Sequence, residues 1–180
     1  MSCNNVNITG SVPGSGDIDF YLAVAKGDFT GYAKVSKFGR NPGLKSADYE
    51  SIWDGSNLYP WPTAAETLNV VSTDADDTSA GTGARTVEIE GLDTNWAVQT
   101  ETVTMNGTTN VTTTNSFLRV YRARVVTAGS TGANAGTITM TNTTSSNVIG
   151  QISVDNSGFG QSLMACYTIP AGKTKLYETW

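Results

Sequence analysis

Residues 72–91, STDADDTSAGTGARTVEIEG, hold the side chains of this protein best suited to chemistry: Asp74, Asp76 and Asp77, followed by Gly81-x-Gly83. Carboxylates at such spacing are oxygen ligands for calcium, and glycine-rich turns cradle phosphates. A P-loop needs Gly-Lys-Ser/Thr leading into a helix, and a dinucleotide fingerprint also needs a helix after its glycines. Here Gly83 leads into ARTVEIE, whose alternation is that of a strand. An EF-hand loop counted from Asp74 places Gly sixth and Glu twelfth, and those positions hold Ser79 and Arg85. A calcium site of another kind, or a solvated acidic connection between strands, remains. The second is favoured, with Gly81 and Gly83 expected to supply positive φ.

Other chemistry is sparse. The chain has no histidine, which removes the commonest general base and every Ser-His or Cys-His pair. No G-x-S-x-G elbow is present. Cys3 and Cys166 form neither a disulfide framework nor a zinc site. Glu88, Glu90 and Glu101 are candidates for carboxylate chemistry by type alone, and their alternation along strands suits a wet face better. These observations predict a protein that is not an enzyme, with no catalytic, cofactor-binding or metal-binding residues.

Two groups remain as interface candidates. Arg119, Arg122 and Arg124 crowd one strand beside Phe117 and Tyr121. Alternation places Arg122 and Arg124 on one face and Arg119 on the other, a poor groove for nucleic acid. Pairing with Glu88, Glu90 or Glu101 across strands, or with a neighbouring subunit, fits better. Trp53, Tyr59 and Trp61, with Trp96 further on, suit either sugar stacking or anchoring into a protein neighbour. The low charge of the chain favours the protein.

The elements that position these groups read as strands. DFYLAVAKG (19–27) reads as a first strand, and residues 38–62 as a long ordered loop pinned by aromatics. Then follow 66–72, 85–91, 97–105, 110–114, 116–128, 137–143, 147–154, 161–170 and a strand-like run to Trp180. Asn106-Gly107 is the strongest short hairpin signal, with 110–114 as the returning strand. No convincing amphipathic helix is seen. Residues 1–17 read as a flexible arm before a single domain at 18–180. The last strand is expected to be trimmed or to pair with a neighbour.

Composition agrees. Charged residues make up only 15% of the 180 positions, and Thr, Ser, Asn and Gly fill the gap, which suits pleated surfaces and turns. A net charge of −5 argues against a phosphate-backbone binder. The N-terminus lacks a signal-peptide pattern, and no apolar run approaches membrane-spanning length. Asn-x-Thr triplets at Asn7, Asn106, Asn110 and Asn142 read as chance in so Thr-rich a chain. The expected class is all-β: an antiparallel sandwich, jelly-roll-like, with an irregular arm and a long aromatic loop.

Several long words point further: YLAVAKGDFTGYAKVSKFGRNP (21–42), IWDG (52–55), TAAETLNVVSTDADDTSAGTGARTVEIEGLD (63–93) and ETVTMNGTTNVTTTNSFLRVYRARVVTAGSTGANAG (101–136). From about Tyr21 onward the chain resembles a family of virion proteins of tailed phages of marine and freshwater bacteria. The resemblance implies a structural part of the particle, without catalytic residues or cofactors. It implies as partners the major capsid protein or other virion proteins, a homo-oligomer such as a trimer, and no nucleic acid or membrane. The role it favours is a decoration or cement protein on the capsid surface. A tail, neck or baseplate adaptor and a host-surface carbohydrate-binding module are the alternatives.

Overall fold

The computed structural model describes residues 20–45, 49–55, 58–154 and 160–174. The expected arm at 1–17 and residues 175–180 of the strand-like final run lie outside them, while the start of that run is a turn, with Gly172 at φ +70° and the Lys173 N–H on the Pro170 carbonyl at 3.2 Å. The chain divides into two units, Met1–Ser36 and Lys37–Trp180.

The first unit corrects one expectation. The run read as a strand at 19–27 is a helix, α1, Phe20–Lys26. A short apolar run has no decisive period, so strand and helix compete. The chain end decides it. Gly27 takes φ +84°, its N–H bonds the Val24 carbonyl at 3.1 Å, and the Asp28 N–H bonds the Ala23 carbonyl at 3.0 Å. That paired closure is a Schellman motif, and it needs glycine just past the last turn.

The second unit is a sandwich of two antiparallel sheets. Its strands are β1 (Leu68–Ser72), β2 (Ala84–Leu92), β3 (Val98–Thr104), β4 (Val111–Thr112), β5 (Arg119–Ala128), β6 (Ile138–Asn142) and β7 (Val148–Ile152). One sheet has the order β4-β1-β6-β7 and the other β3-β2-β5. Alternation explains the inner faces, except where β7 at Ile149 and β5 at Tyr121 slip register against their partners and shift the inward set by one residue. Leu68 and Val70 of β1, Ile138 and Met140 of β6, and Ile149 and Ile152 of β7 are buried from one side. Val87 and Ile89 of β2, Val103 of β3, and Val120 and Ala123 of β5 are buried from the other. Together with Phe117, Met105, Trp53, Tyr59 and Met164 they form one core.

Two further expectations differ from the structure. Asn106-Gly107 makes no hairpin. Gly107 has φ +59°, as the signal requires, but β3 pairs with β2 while β4 pairs with β1, so the turn carries the chain from one sheet to the other. The Gly107 N–H bonds the Asp77 carbonyl at 2.7 Å and its carbonyl accepts from Ser72 at 3.0 Å, and these bonds hold the crossing in place. Residues 161–170 form no regular strand. They contribute only single bridges, Gln161 to Arg124 and Met164 to Trp53.

β2 and β5 slip register between Glu90 and Gly91. A Cβ at Gly91 would lie 2.0 Å from the Arg119 carbonyl oxygen and 2.8 Å from the Phe117 ring. The bulge brings backbone against backbone and leaves no room to yield. Gly91→Ala is therefore expected to cost about 1–3 kcal/mol, read as a lowered urea midpoint with unchanged slope.

At the far end of the other sheet, the Glu66 carboxylate accepts from the Thr144 and Ser145 N–H groups at 2.7 and 3.0 Å, closing the β6–β7 turn. The Ser145 bond first, then the Thr144 bond, holds its carboxyl below the ordinary value. A depressed folded value contributes stability that is present above the unfolded value and lost as pH falls through the folded one. Titrating stability downward from pH 6, the wild type should lose an increment below about pH 4.5 that Glu66→Gln lacks.

Candidate functional site

The acidic stretch is the connection between β1 and β2, exposed at Asp76 and half-buried at Asp74, but one of its three carboxylates turns inward. Asp77 is fully buried. Its Oδ1 accepts from the Ala84 and Ala135 N–H groups at 2.6 and 2.8 Å, and its Oδ2 from the Gly136 N–H at 2.9 Å and the Ser72 hydroxyl at 2.5 Å. Four donors occupy the four acceptor positions of one carboxylate. Asp74 Oδ1 accepts from the Asp76 N–H at 2.8 Å, and Asp76 Oδ2 from the Thr82 hydroxyl at 3.3 Å. The glycines also serve otherwise than expected, because neither takes a positive φ. A Cβ at Gly81 would meet the Asp76 carbonyl at 2.0 Å, and one at Gly83 the Asp77 Oδ1 at 2.2 Å. They are there for closeness. No group of three His, Cys, Asp or Glu among the described residues is placed to hold a metal.

The arginines divide as alternation predicts. In the β2–β5 register Glu88 faces Arg124 and Glu90 faces Arg122. The side chains pair at 2.8 and 3.3 Å on the wet face. Half-exposed pairs of this kind contribute about 0–1 kcal/mol each. Glu101 joins no arginine. It accepts from the Thr114 and Asn115 N–H groups at 2.7 and 2.8 Å.

Arg119 is different. It is only 9% exposed, and its guanidinium carbon lies 5.7 Å from the Trp61 ring centre and 5.1 Å from that of Trp96. Cation–π attraction holds it between the two indoles. Its Nη1 donates to the Pro62 and Leu118 carbonyls, while its Nε has no partner among the described residues. Burial pulls its pKa below the ordinary value, with the nearby Tyr59 pulling the other way.

Both tryptophans sit where the backbone is strained, Trp61 at φ +48° and Trp96 at φ +62°. Bulky side chains rarely adopt that region, and where they do the surrounding structure imposes it. Trp96 lies in the β2–β3 turn. There the Asp93 carboxylate accepts from Asn95 and Ala97 at 2.7 and 2.9 Å, and the Ala171 N–H bonds the Trp96 carbonyl at 2.8 Å. Trp61 is held edge-to-face by Tyr59 at 4.9 Å, and Tyr59 in turn by Trp53 at 5.4 Å.

Of the predicted interface aromatics, Trp53 and Tyr59 are each 2% exposed and belong to the core. They cannot themselves reach a neighbour. The Tyr59 hydroxyl donates to the Val120 carbonyl at 3.1 Å, and burial raises its pKa. Only Trp61, at 47% exposure, and Trp96, at 40%, are open to solvent. Hence the structure unites Arg119 with Trp61 and Trp96 and separates them from Arg122 and Arg124. A tryptophan in a short turn, where glycine or asparagine is the ordinary choice, is the signal by which Trp96 stands out.

Beside Arg119 is a shallow surface depression, lined also by Tyr59, Trp61, Tyr121, Cys166 and Tyr167, which encloses no cavity of the kind that holds a small molecule. Burial raises the Cys166 thiol, the direction opposite to an activated nucleophile. Compared with known proteins, the chain matches no family model, no curated protein and no solved structure. Function therefore has to be argued from this geometry.

The loop at 38–62 carries a cluster of exposed apolar side chains. Inside, it is held by Arg40 to Asp54 at 3.0 Å, Asn41 to Glu50 at 2.9 Å, and Tyr59 N–H to the Ser51 hydroxyl at 2.9 Å. Outside, it presents Phe38 at 77%, Tyr49 at 97%, and also Leu44, Ile52 and Leu58.

Of the Asn-x-Thr triplets, Asn142 is 1% exposed and so closed to modification in the folded chain, whereas Asn106 and Asn110 are exposed.

Proposed function

We propose that this protein is a non-enzymatic structural component of a phage virion, a decoration or cement protein that binds the major capsid protein and reinforces the shell as a homo-oligomer. The observation that carries the reading is the 38–62 loop. Its inner side chains are fixed by hydrogen bonds and ring contacts, while Phe38, Leu44, Tyr49, Leu58 and Trp61 face outward. Exposed apolar side chains on a held loop suit a protein neighbour, since water gains nothing from them and ordering them costs little further entropy. The sequence resemblance to phage virion proteins supports the same reading. Many copies on a shell would add small binding energies into one large resistance to opening.

A second reading, a carbohydrate-binding module at the host surface, is favoured by one observation: Trp61 and Trp96 are both exposed. The tail, neck or baseplate remains the alternative site on the particle. Quantitative mass spectrometry of purified virions separates these. A copy number comparable with the major capsid protein is expected. A few or a few tens of copies would move the protein to the tail or neck, and its absence would end both virion assignments. Particles lacking it should also open at lower temperature and at milder osmotic shock than complete ones.

A further inference from the structure

We propose that Arg119, between Trp61 and Trp96, is the receptor for a carboxylate on an apolar-flanked acidic segment of a partner protein. The inference rests on the reading of this chain as a protein-binding part, and it specifies the chemistry of the partner.

Three observations converge. First, the cation has no counter-ion among the described residues. The ion pairs there join Arg40, Arg122 and Arg124 to acids, and no described carboxylate reaches Arg119. A buried charge without a counter-ion is costly, and its Nε–H is left with no acceptor. An arriving carboxylate would remove both costs, and arginine's planar fork is the geometry that receives one in a bidentate manner. Second, the side chain lies just under the surface: Arg119 lines the shallow depression together with Tyr59, Trp61 and Tyr121, and part of the residue stays exposed. Third, the clamp is built at some expense. Two tryptophans hold positive φ on either side of this one side chain. Strain retained at paired positions marks a site whose shape matters when free as well as when bound.

The rim chooses between kinds of acid. Trp61 and Trp96 are both exposed, Val98 follows Trp96 by two residues, and Ile169 precedes by two the Ala171 that bonds Trp96. Each of these four is exposed and apolar at its outer surface. An acidic sugar brings hydroxyls all round its ring and would leave them facing hydrocarbon. A glutamate or aspartate flanked by aliphatic or aromatic residues matches both the centre and the rim. Charge steering agrees only locally, since the chain as a whole is acidic at −5.

The test is an NMR titration of the full chain with a panel of capped tripeptides, Ac-X-Glu-Z-NH2, with X and Z drawn from Leu, Phe, Gly and Ser. The Gln panel and glucuronic acid are the controls. The Arg119 Nε–H and the Trp61 and Trp96 indole N–H resonances should shift saturably with the Glu peptides, most with Leu or Phe neighbours. The Gln peptides should bind about tenfold or more weakly. Arg119→Lys keeps the charge but not the planar fork and should weaken the Glu peptides several-fold, whereas Arg119→Gln should abolish the preference for Glu over Gln. Trp96→Gly, which suits φ +62°, should remove binding while the fold survives. Equal response to Glu and Gln, no response to any peptide, or saturation by glucuronic acid alone would each overturn the proposal. Particle copy number is measured independently, so failure here and failure of the virion reading are told apart.

Discussion

Asp77→Ala is expected to lower the unfolding free energy by about 4 kcal/mol, a large part of the 5–15 kcal/mol typical of a domain. The reason is the number and place of its donors. Ser72 ends β1, Ala84 begins β2, and Ala135 and Gly136 lead into β6. One carboxylate thus joins the ends of strands from both sheets. Alanine would leave two buried N–H groups, one half-buried N–H and a hydroxyl without an acceptor, and each orphan costs about 1–3 kcal/mol before relaxation or entering water reduces it. Asp77→Asn should cost about half as much, because one oxygen still serves Ala84 and Ala135 while the amide faces the Gly136 N–H. Urea unfolding followed by tryptophan fluorescence and far-UV circular dichroism gives the comparison. If the alanine variant unfolds within about 1 kcal/mol of the wild type, the carboxylate does not hold the sheets together.

The same residue shows what a sequence can and cannot display. Asp77 is one of three aspartates in a Gly-rich run, and the residues that follow form strand β2 rather than the helix a phosphate loop requires. The local pattern did not distinguish Asp77 from Asp74 and Asp76. Two of the four donors to Asp77 lie 58 and 59 residues away, and no local period encodes that meeting. Strands β1 and β6, and much of β2, were legible because they bury alternate side chains against a sheet with one wet side, while β3, β5 and β7 were legible from β-branched residues between turn signals. So was the pairing of Glu88 and Glu90 with Arg124 and Arg122, once both strands were placed. The helix at Phe20–Lys26 was not, since its apolar run suits either period and only Lys26-Gly27 marks its end. Asn106-Gly107 encodes a turn but not a destination: β4 is only two residues long, and its pairing with β1 depends on long-range contacts. At the candidate site the sequence supplied Arg119 and Trp61 but placed them with Trp53 and Tyr59 facing outward. Aromatic type says that a ring will be buried or bound, and only packing says which.

Phe117→Ala should be the most costly apolar truncation in the sandwich, at about 3–5 kcal/mol. Phe117 is wholly buried and stands just before β5. Its N–H bonds the Glu66 carbonyl at 2.7 Å and its carbonyl accepts from the Glu66 N–H at 3.2 Å, so its backbone docks on the segment that leads into β1. Its ring fits the space that Gly91 of β2 leaves by lacking a Cβ. A single residue therefore binds one sheet through its backbone and fills against the other through its side chain. Truncation empties a space bounded by backbone on the Gly91 side, where β2 and β5 are already bulged together, and backbone collapses into a void less readily than side chains do. The expected loss exceeds that for Val103→Ala on the edge strand β3, whose neighbours alternate with exposed threonines. The clamp supplies a second readout: Leu118 and Arg119 follow Phe117 directly, so the Arg119 Nε–H and the Trp61 and Trp96 indole resonances should broaden in Phe117→Ala. In Val103→Ala they should keep their positions. Sharp, unshifted clamp resonances in a strongly destabilised Phe117→Ala would show that the core and the arginine clamp are energetically separate.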